Sequence, residues 1–141
     1  MSSFLYLLVA EAMSRKLQLL QESGDLRGLK IAKGVKASNH GQFSNDTILF
    51  GGASITIAWR FNSVMSTFLK ATNGKIYSAK SKVYGWNCTP ETLEKIARTL
   101  GFEGNASWDS FNYLGIPIFK GKKRVVYWQG MIDKIKNKIN S

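Results

Sequence analysis

Cysteine and histidine are nearly missing from this sequence, whose 141 residues include one of each, Cys88 and His40. A single cysteine excludes an intramolecular disulfide and any zinc site built from several cysteines. Cys88 is expected to be a buried or half-buried small residue. His40 has no cysteine at metal-ligand spacing, so it is predicted to lie in a loop or at a strand edge rather than to act as a ligand or catalytic base.

Acidic residues are also scarce. Nine Asp and Glu stand against twenty Lys and Arg, which gives a net charge of +11 and a pI near 9.9. This surplus favours polyanionic partners, nucleic acid first and an anionic membrane surface second. A basic protein that binds no polyanion is the alternative. Because 44% of the residues are apolar and 12% aromatic, the chain can build a hydrophobic core.

Long apolar runs are missing as well. No stretch reaches the roughly 18 residues of a membrane span. Residues 4–12 imitate a secretory signal, but no basic residues precede them and the apolar pattern continues past the apparent cleavage site. We therefore expect an intracellular protein, with the nucleus among the compartments open to it. Neither repeats nor linkers divide the chain, which predicts one domain or part of one.

Apolar residues at three- and four-residue spacing predict four helices. The first covers residues 3–22 and the second residues 55–72. The third begins at Thr89-Pro90-Glu91, which combines a cap, a first-turn proline and an early acid, and it ends at Gly101. The last runs from about Arg124. The apolar stripe of the first helix comprises Leu5, Leu8, Val9, Ala12, Met13 and Leu20.

Short extended segments are predicted between the helices. Residues 26–31 and 82–86 are two of them, and residues 113–119 are expected to form an edge or bent strand because they contain glycine and proline. Residues 42–50 predict a β-hairpin with Ser44-Asn45-Asp46 at its tip, since Asn and Asp tolerate left-handed backbone conformations. Helices and strands are mixed without a regular βαβ rhythm, so the predicted fold class is α+β.

Four short motifs occur in an order typical of one protein family. Residues 2–6 resemble the S-P-x-L-F run that opens a long helix, and Phe43-Ser44-Asn45-Asp46 resembles an F-A-D-D hairpin. Residues 71–81 resemble an A-S-G-L-x-I-N-x-x-K-S stretch, and residues 113–117 match Y-L-G-x-P. Over essentially its whole length the chain thus resembles the reverse transcriptase domain of non-LTR (LINE-type) retrotransposons, of the sort common in plant genomes.

The resemblance implies a fold and a set of partners. Residues 1–119 would form a partial polymerase palm, in which helices pack on a small antiparallel sheet with a catalytic-type hairpin. Residues 120–141 would begin a basic, thumb-like helix. Members of the family are RNA-directed DNA polymerases that use Mg²⁺ as cofactor. Their partners are an RNA template and a DNA primer, and a dNTP is the only small-molecule substrate. No membrane partner is implied.

The hairpin is where the resemblance implies a metal site. Polymerases join nucleotides with two Mg²⁺ ions, which require anionic oxygen ligands. The first hairpin position is Asn45, a neutral amide, which leaves Asp46 as a weak ligand. The family's upstream aspartate precedes the helix that opens this sequence, so we expect a second lesion there. The chain alone is predicted to lack polymerase activity. A hairpin turn without a chemical role is the alternative.

The other candidates are binding residues. The resemblance implies that Lys80 lies near the incoming nucleotide and that Tyr113, Leu114 and Gly115 belong to a primer-grip hairpin over residues 113–117; a surface lysine and a core strand are the alternatives. From residue 120 onward, seven bases oppose one acid, which predicts salt-sensitive contacts with a nucleic-acid backbone. A helix on a membrane surface or a merely solvated helix is the alternative. The rival function is a non-catalytic nucleic-acid-binding remnant. The seven bases are Lys120, Lys122, Lys123, Arg124, Lys134, Lys136 and Lys138.

Overall fold

A computed structural model describes residues 2–30, 33–121 and 124–141. The described part contains four α-helices and six short strands, so the α+β class is confirmed. The helices are α1 (Ser3–Glu22), α2 (Ile55–Thr72), α3 (Pro90–Leu100) and α4 (Gln129–Ile139). The strands are β1 (His40–Phe43), β2 (Asp46–Leu49), β3 (Lys82–Tyr84), β4 (Glu103–Asn105), β5 (Ser110–Tyr113) and β6 (Ile116–Phe119).

The ends of the first three helices agree with the prediction, and local side-chain caps fix the starts of α1 and α3. The hydroxyl of Ser2 accepts a hydrogen bond from the Leu5 amide at 3.3 Å, at the start of α1. At the start of α3, the hydroxyl of Thr89 accepts a hydrogen bond of 3.2 Å from the Thr92 amide. Gly101 ends α3 in a left-handed conformation, with φ at 75°. The fourth helix differs, since Val125–Trp128 form a 3₁₀ helix and α4 begins only afterwards.

The predicted single antiparallel sheet is wrong. The described strands form three two-stranded sheets, and β3 pairs with β4 in parallel. Strand β4 escaped prediction because Glu103-Gly104-Asn105 has no β-branched or aromatic residue. Its position depends instead on α3. A Cβ atom at Gly104 would lie 3.2 Å from that of Ala97, so glycine allows the helix to approach the strand closely.

Two of the predicted extended segments also differ. Residues 113–119 are not one strand, because they contain the turn Leu114-Gly115 between the end of β5 and strand β6; both turn residues are left-handed, with φ at 51° and 77°. Within residues 26–30, Leu29 makes only an isolated bridge to Ser38, and residue 31 lies outside the described residues. The hairpin predicted over residues 42–50 is confirmed as β1 and β2.

The largest buried cluster lies between α1 and α2. It comprises Met13, Leu17, Leu26, Phe61 and Val64. The apolar stripe of α1 is therefore buried only from Met13 onward. Its first half is uncovered, since Leu5 and Leu8 are 52% and 53% exposed.

The chain exposes more surface than a compact monomer of its mass. Its accessible area is 10376 Å², whereas a compact protein of 15.8 kDa exposes about 7,300 Å². Large apolar side chains contribute to this surface, among them Phe4, Leu7 and Trp59, which are 69%, 64% and 62% exposed. In the described part of the chain, no helix has both the length and the apolar character needed to cross a bilayer.

Candidate functional site

The hairpin of β1 and β2 carries Asn45 and Asp46 at its tip. Phe43 pairs with Asp46, so the turn consists of Ser44 and Asn45, and Asp46 begins β2. The left-handed residue is Ser44, with φ at 51°, so the expectation that Asn or Asp would supply this conformation is wrong. The Ser44 carbonyl accepts a hydrogen bond of 2.9 Å from the hydroxyl of Tyr6 on α1. Asn45 and Asp46 are both exposed.

Tyr113 connects this hairpin to the hairpin of β5 and β6. Its hydroxyl lies 3.2 Å from the carbonyl oxygens of both Gly41 and Asp46 and donates its one proton to this pair of acceptors. Burial raises the pKa of Tyr113, and the negative charge of Asp46 raises it further, so the hydroxyl remains a donor at neutral pH. The residues that the sequence suggested for a metal site and for a primer grip are thus in contact.

A polar network that the sequence did not reveal joins the base of the first hairpin to α1. Asn39 is 1% exposed, and its amide donates to the Leu17 carbonyl at 2.7 Å. Its side-chain oxygen lies 2.6 Å from Nδ1 of His40, whose Nε2 lies 2.7 Å from the Ser14 hydroxyl. Burial lowers the pKa of His40, which favours the neutral ring. Nδ1 then donates to Asn39, and the Ser14 hydroxyl donates to Nε2.

Most of the predicted site residues outside the basic C-terminal segment line a single open cleft, whose volume is about 2120 Å³. The first hairpin contributes Asn45 and Asp46. The 3₁₀ helix Ser78–Lys80 contributes Lys80, and the second hairpin contributes Tyr113 and Leu114. The neighbouring turn residue, Gly115, lies outside the described lining of the cleft.

The cleft is cationic. Arg27, Lys75, Lys80 and Lys82 line it, and Asp46 is the one acidic side chain among its described lining residues. Lys82 forms an exposed ion pair of 3.7 Å with Glu103. A concave surface lined by charges of one sign concentrates ligands of the opposite sign, so this charge balance favours anionic over cationic ligands.

None of the C-terminal bases that the structure describes is among the residues lining the cleft. Lys134 and Lys138 are exposed on α4, and Arg124 is exposed just before the 3₁₀ helix. The ammonium of Lys120 lies 6.0 Å from the ring centre of Trp108. Lys122 and Lys123 lie outside the described residues. The segment is joined to β6 by stacking of Phe119 on Tyr127, with ring centres 5.0 Å apart.

Asn45 and Asp46 do not fit a two-metal centre. Mg²⁺ in polymerase-type sites is held by carboxylates and phosphate oxygens, and this hairpin tip presents one carboxylate and one neutral amide to solvent. Within residues 2–30, 33–121 and 124–141, no three His, Cys, Asp or Glu side chains are placed to hold a metal ion together.

The lining of the cleft offers several kinds of chemical group to a ligand. It combines cations, hydrogen-bonding amides, aromatic rings and one carboxylate. No protein-family model matches the chain, and neither does any curated protein or solved structure.

Proposed function

We propose that this chain derives from the palm and thumb of a non-LTR retrotransposon reverse transcriptase, and that it binds a template–primer without catalysing nucleotidyl transfer. The observation that carries the proposal is the cleft. Residues from three motifs of the resemblance, represented by Asp46, Lys80 and Tyr113, line this one surface although they are far apart in sequence. An assembly of this kind supports a shared ligand.

Charge supports nucleic acid as that ligand. The cleft presents four cations and one acid, and the C-terminal segment adds exposed bases on α4. Lysine and arginine contacts to phosphates release counterions, so binding would be independent of sequence and would weaken steeply with salt. An RNA–DNA hybrid is the ligand that the resemblance implies.

Loss of the reaction follows from the donor set at the hairpin tip. Two-metal transfer requires carboxylates that offset the charge of both cations and position the attacking and leaving oxygens. Asn45 supplies no charge, and Asp46 alone holds Mg²⁺ too weakly. Binding to phosphates requires neither residue, so it can persist after the reaction is lost.

Fluorescence anisotropy with a labelled RNA–DNA hybrid tests the binding. We expect micromolar affinity that falls steeply between about 50 and 200 mM salt. The double variant Lys134→Ala/Lys138→Ala should reduce the slope of log K against log salt by about two. Lys95→Ala is the matched control, because this exposed lysine of α3 lies outside both the cleft and the C-terminal segment. Absence of salt-dependent binding would contradict the proposal.

Primer extension on an RNA template, with Mg²⁺ or Mn²⁺, tests the absence of chemistry. We expect no dNTP incorporation by the wild-type chain, and none by Asn45→Asp, since one restored carboxylate does not complete a two-metal centre. Measurable incorporation by the wild type would refute the inactivity while leaving the binding intact.

A further inference from the structure

Two large aromatic side chains line the cleft and yet remain exposed. Tyr77 is 75% exposed and Trp86 is 52% exposed. In the sequence, Tyr77 lies between Lys75 and Lys80, and Trp86 follows Lys82; these three lysines also line the cleft. Burial of aromatic rings of this size usually contributes to the stability of a protein. Exposed rings on a cationic concave surface are typical of proteins on which unpaired bases stack.

Three other aromatic residues of the cleft have a different role. Tyr84 stacks on Phe111 with ring centres 4.0 Å apart, and Trp108 packs on both rings and donates to the Gly85 carbonyl at 2.8 Å. These three rings are occupied with one another. Among the described residues, neither Tyr77 nor Trp86 takes part in an aromatic pair.

The backbone at both exposed rings is nevertheless anchored. The Tyr77 carbonyl accepts hydrogen bonds of 3.0 Å from the Lys80 amide and from the Ser81 hydroxyl. Trp86 follows Gly85, which is buried and whose amide donates to the Asn105 carbonyl at 3.0 Å. Rings that are free to contact a ligand but fixed at the backbone lose little conformational freedom on binding, which favours stacking.

Cations accompany the rings. The Lys80 ammonium lies 6.0 Å from the ring centre of Tyr77, and Lys75 and Arg27 also line the cleft. Phosphates of a strand whose bases stack on the rings would be attracted to these cations of the same cleft. A protein segment seated there would have to be acidic to match them.

From these observations we infer that the cleft binds a single-stranded segment of nucleic acid, with bases stacked on Tyr77 and Trp86. The inference rests on the proposed function and adds that the cleft contacts an unpaired segment of the nucleic acid in addition to the hybrid. A duplex conceals the faces of its bases within its own stack, whereas an unpaired strand can offer them to aromatic rings. These two side chains should therefore determine how much more tightly the cleft binds a single strand than a duplex.

The test compares labelled single strands of about 15 nucleotides, oligothymidylate and oligouridylate, with a duplex of equal length. Tyr77→Ala and Trp86→Ala should each weaken binding of the single strands by about 5- to 150-fold. Duplex binding should stay within about twofold, since it depends on phosphate contacts. Tyr77→Phe and Trp86→Phe keep a ring and should retain most of the affinity. Circular dichroism checks that each variant is folded.

Trp59→Ala is the matched control. Trp59 is 62% exposed on α2 but lies outside the described cleft lining, so its removal should change neither affinity. Quenching of tryptophan fluorescence by unlabelled oligothymidylate gives a second readout. The quenching should be substantially smaller in Trp86→Phe than in Trp59→Phe.

The outcomes separate the inference from the proposed function. If both alanine variants bind single strands as the wild type does, while the hybrid is still bound, the stacking inference is overturned and the proposed function stands. If the chain binds no nucleic acid, both are overturned. If polyglutamate of matched length binds as tightly as oligothymidylate, the cleft recognises an acidic chain rather than bases, and the inference is again overturned.

Discussion

Replacing Asn39 with alanine should destabilise the protein strongly, although the substitution removes only one small amide group. The substitution removes the 2.7 Å hydrogen bond to the Leu17 carbonyl and the 2.6 Å contact with Nδ1 of His40. Each bond contributes about 0.5–1.5 kcal/mol, and a half-buried Nδ1–H left without its acceptor costs about 1–3 kcal/mol more. Because parts of these terms overlap, we expect the free energy of unfolding to fall by about 2–4 kcal/mol.

Urea unfolding followed by far-ultraviolet circular dichroism, at about pH 7.5 where His40 is neutral, measures this loss. Asn45→Ala is the control, because it makes the same chemical change at an exposed hairpin residue. It should alter the free energy of unfolding by no more than about 0.5 kcal/mol. Equal midpoints for Asn39→Ala and Asn45→Ala would show that the buried network does not anchor the hairpin to α1.

Two further predictions concern the same hairpin. Burial lowers the pKa of His40 from its ordinary value of 6.5, so folding favours the neutral ring; the resulting stabilisation is present above about pH 6.5 and is lost as the pH falls through the lowered pKa. Urea titrations between about pH 7.5 and 5 should show this loss in the wild type and a smaller one in His40→Gln; parallel profiles would exclude His40 as its source. Tyr113→Phe removes the donor shared by the Gly41 and Asp46 carbonyls and should lower the free energy of unfolding by about 0.5–1.5 kcal/mol. The same change at exposed Tyr77 should have no measurable effect, and equal losses at both positions would contradict the assignment.

The helices could be predicted from the sequence because their signals are local. A cap such as Thr89, a proline in the first turn and apolar residues at helical spacing act within a few residues of one another. The hairpin at residues 42–50 was predictable for the same reason. Its left-handed residue was not, since Ser44 has no particular preference for that conformation and is held there by the hairpin register and the bond from Tyr6.

The sheets and the cleft depend on distant parts of the chain. Strand β4 has no intrinsic strand preference, and it exists because α3 returns the chain alongside β3. A leucine in a left-handed conformation is uncommon, so the pattern of residues 113–119 predicted a strand and not the turn at Leu114. Burial of Asn39 results from packing of α1 against a polar loop, which leaves no periodic pattern. The cleft is likewise a product of how the helices and hairpins assemble.

On our proposal, the way in which the hairpin is held explains how its fold can remain after a metal-dependent reaction is lost. Tyr6 and Tyr113 both bind backbone carbonyls, those of Ser44 and of Asp46, rather than the side chains at the tip. The geometry of the tip therefore does not depend on which side chain occupies position 45. A neutral amide at this position is a weaker ligand for Mg²⁺ than a carboxylate would be, and it adds no negative charge to a cleft lined by four cations. On our proposal, the same residue that opposes catalysis favours retention of a polyanion, because attraction of phosphates grows as acidic charge leaves the surface.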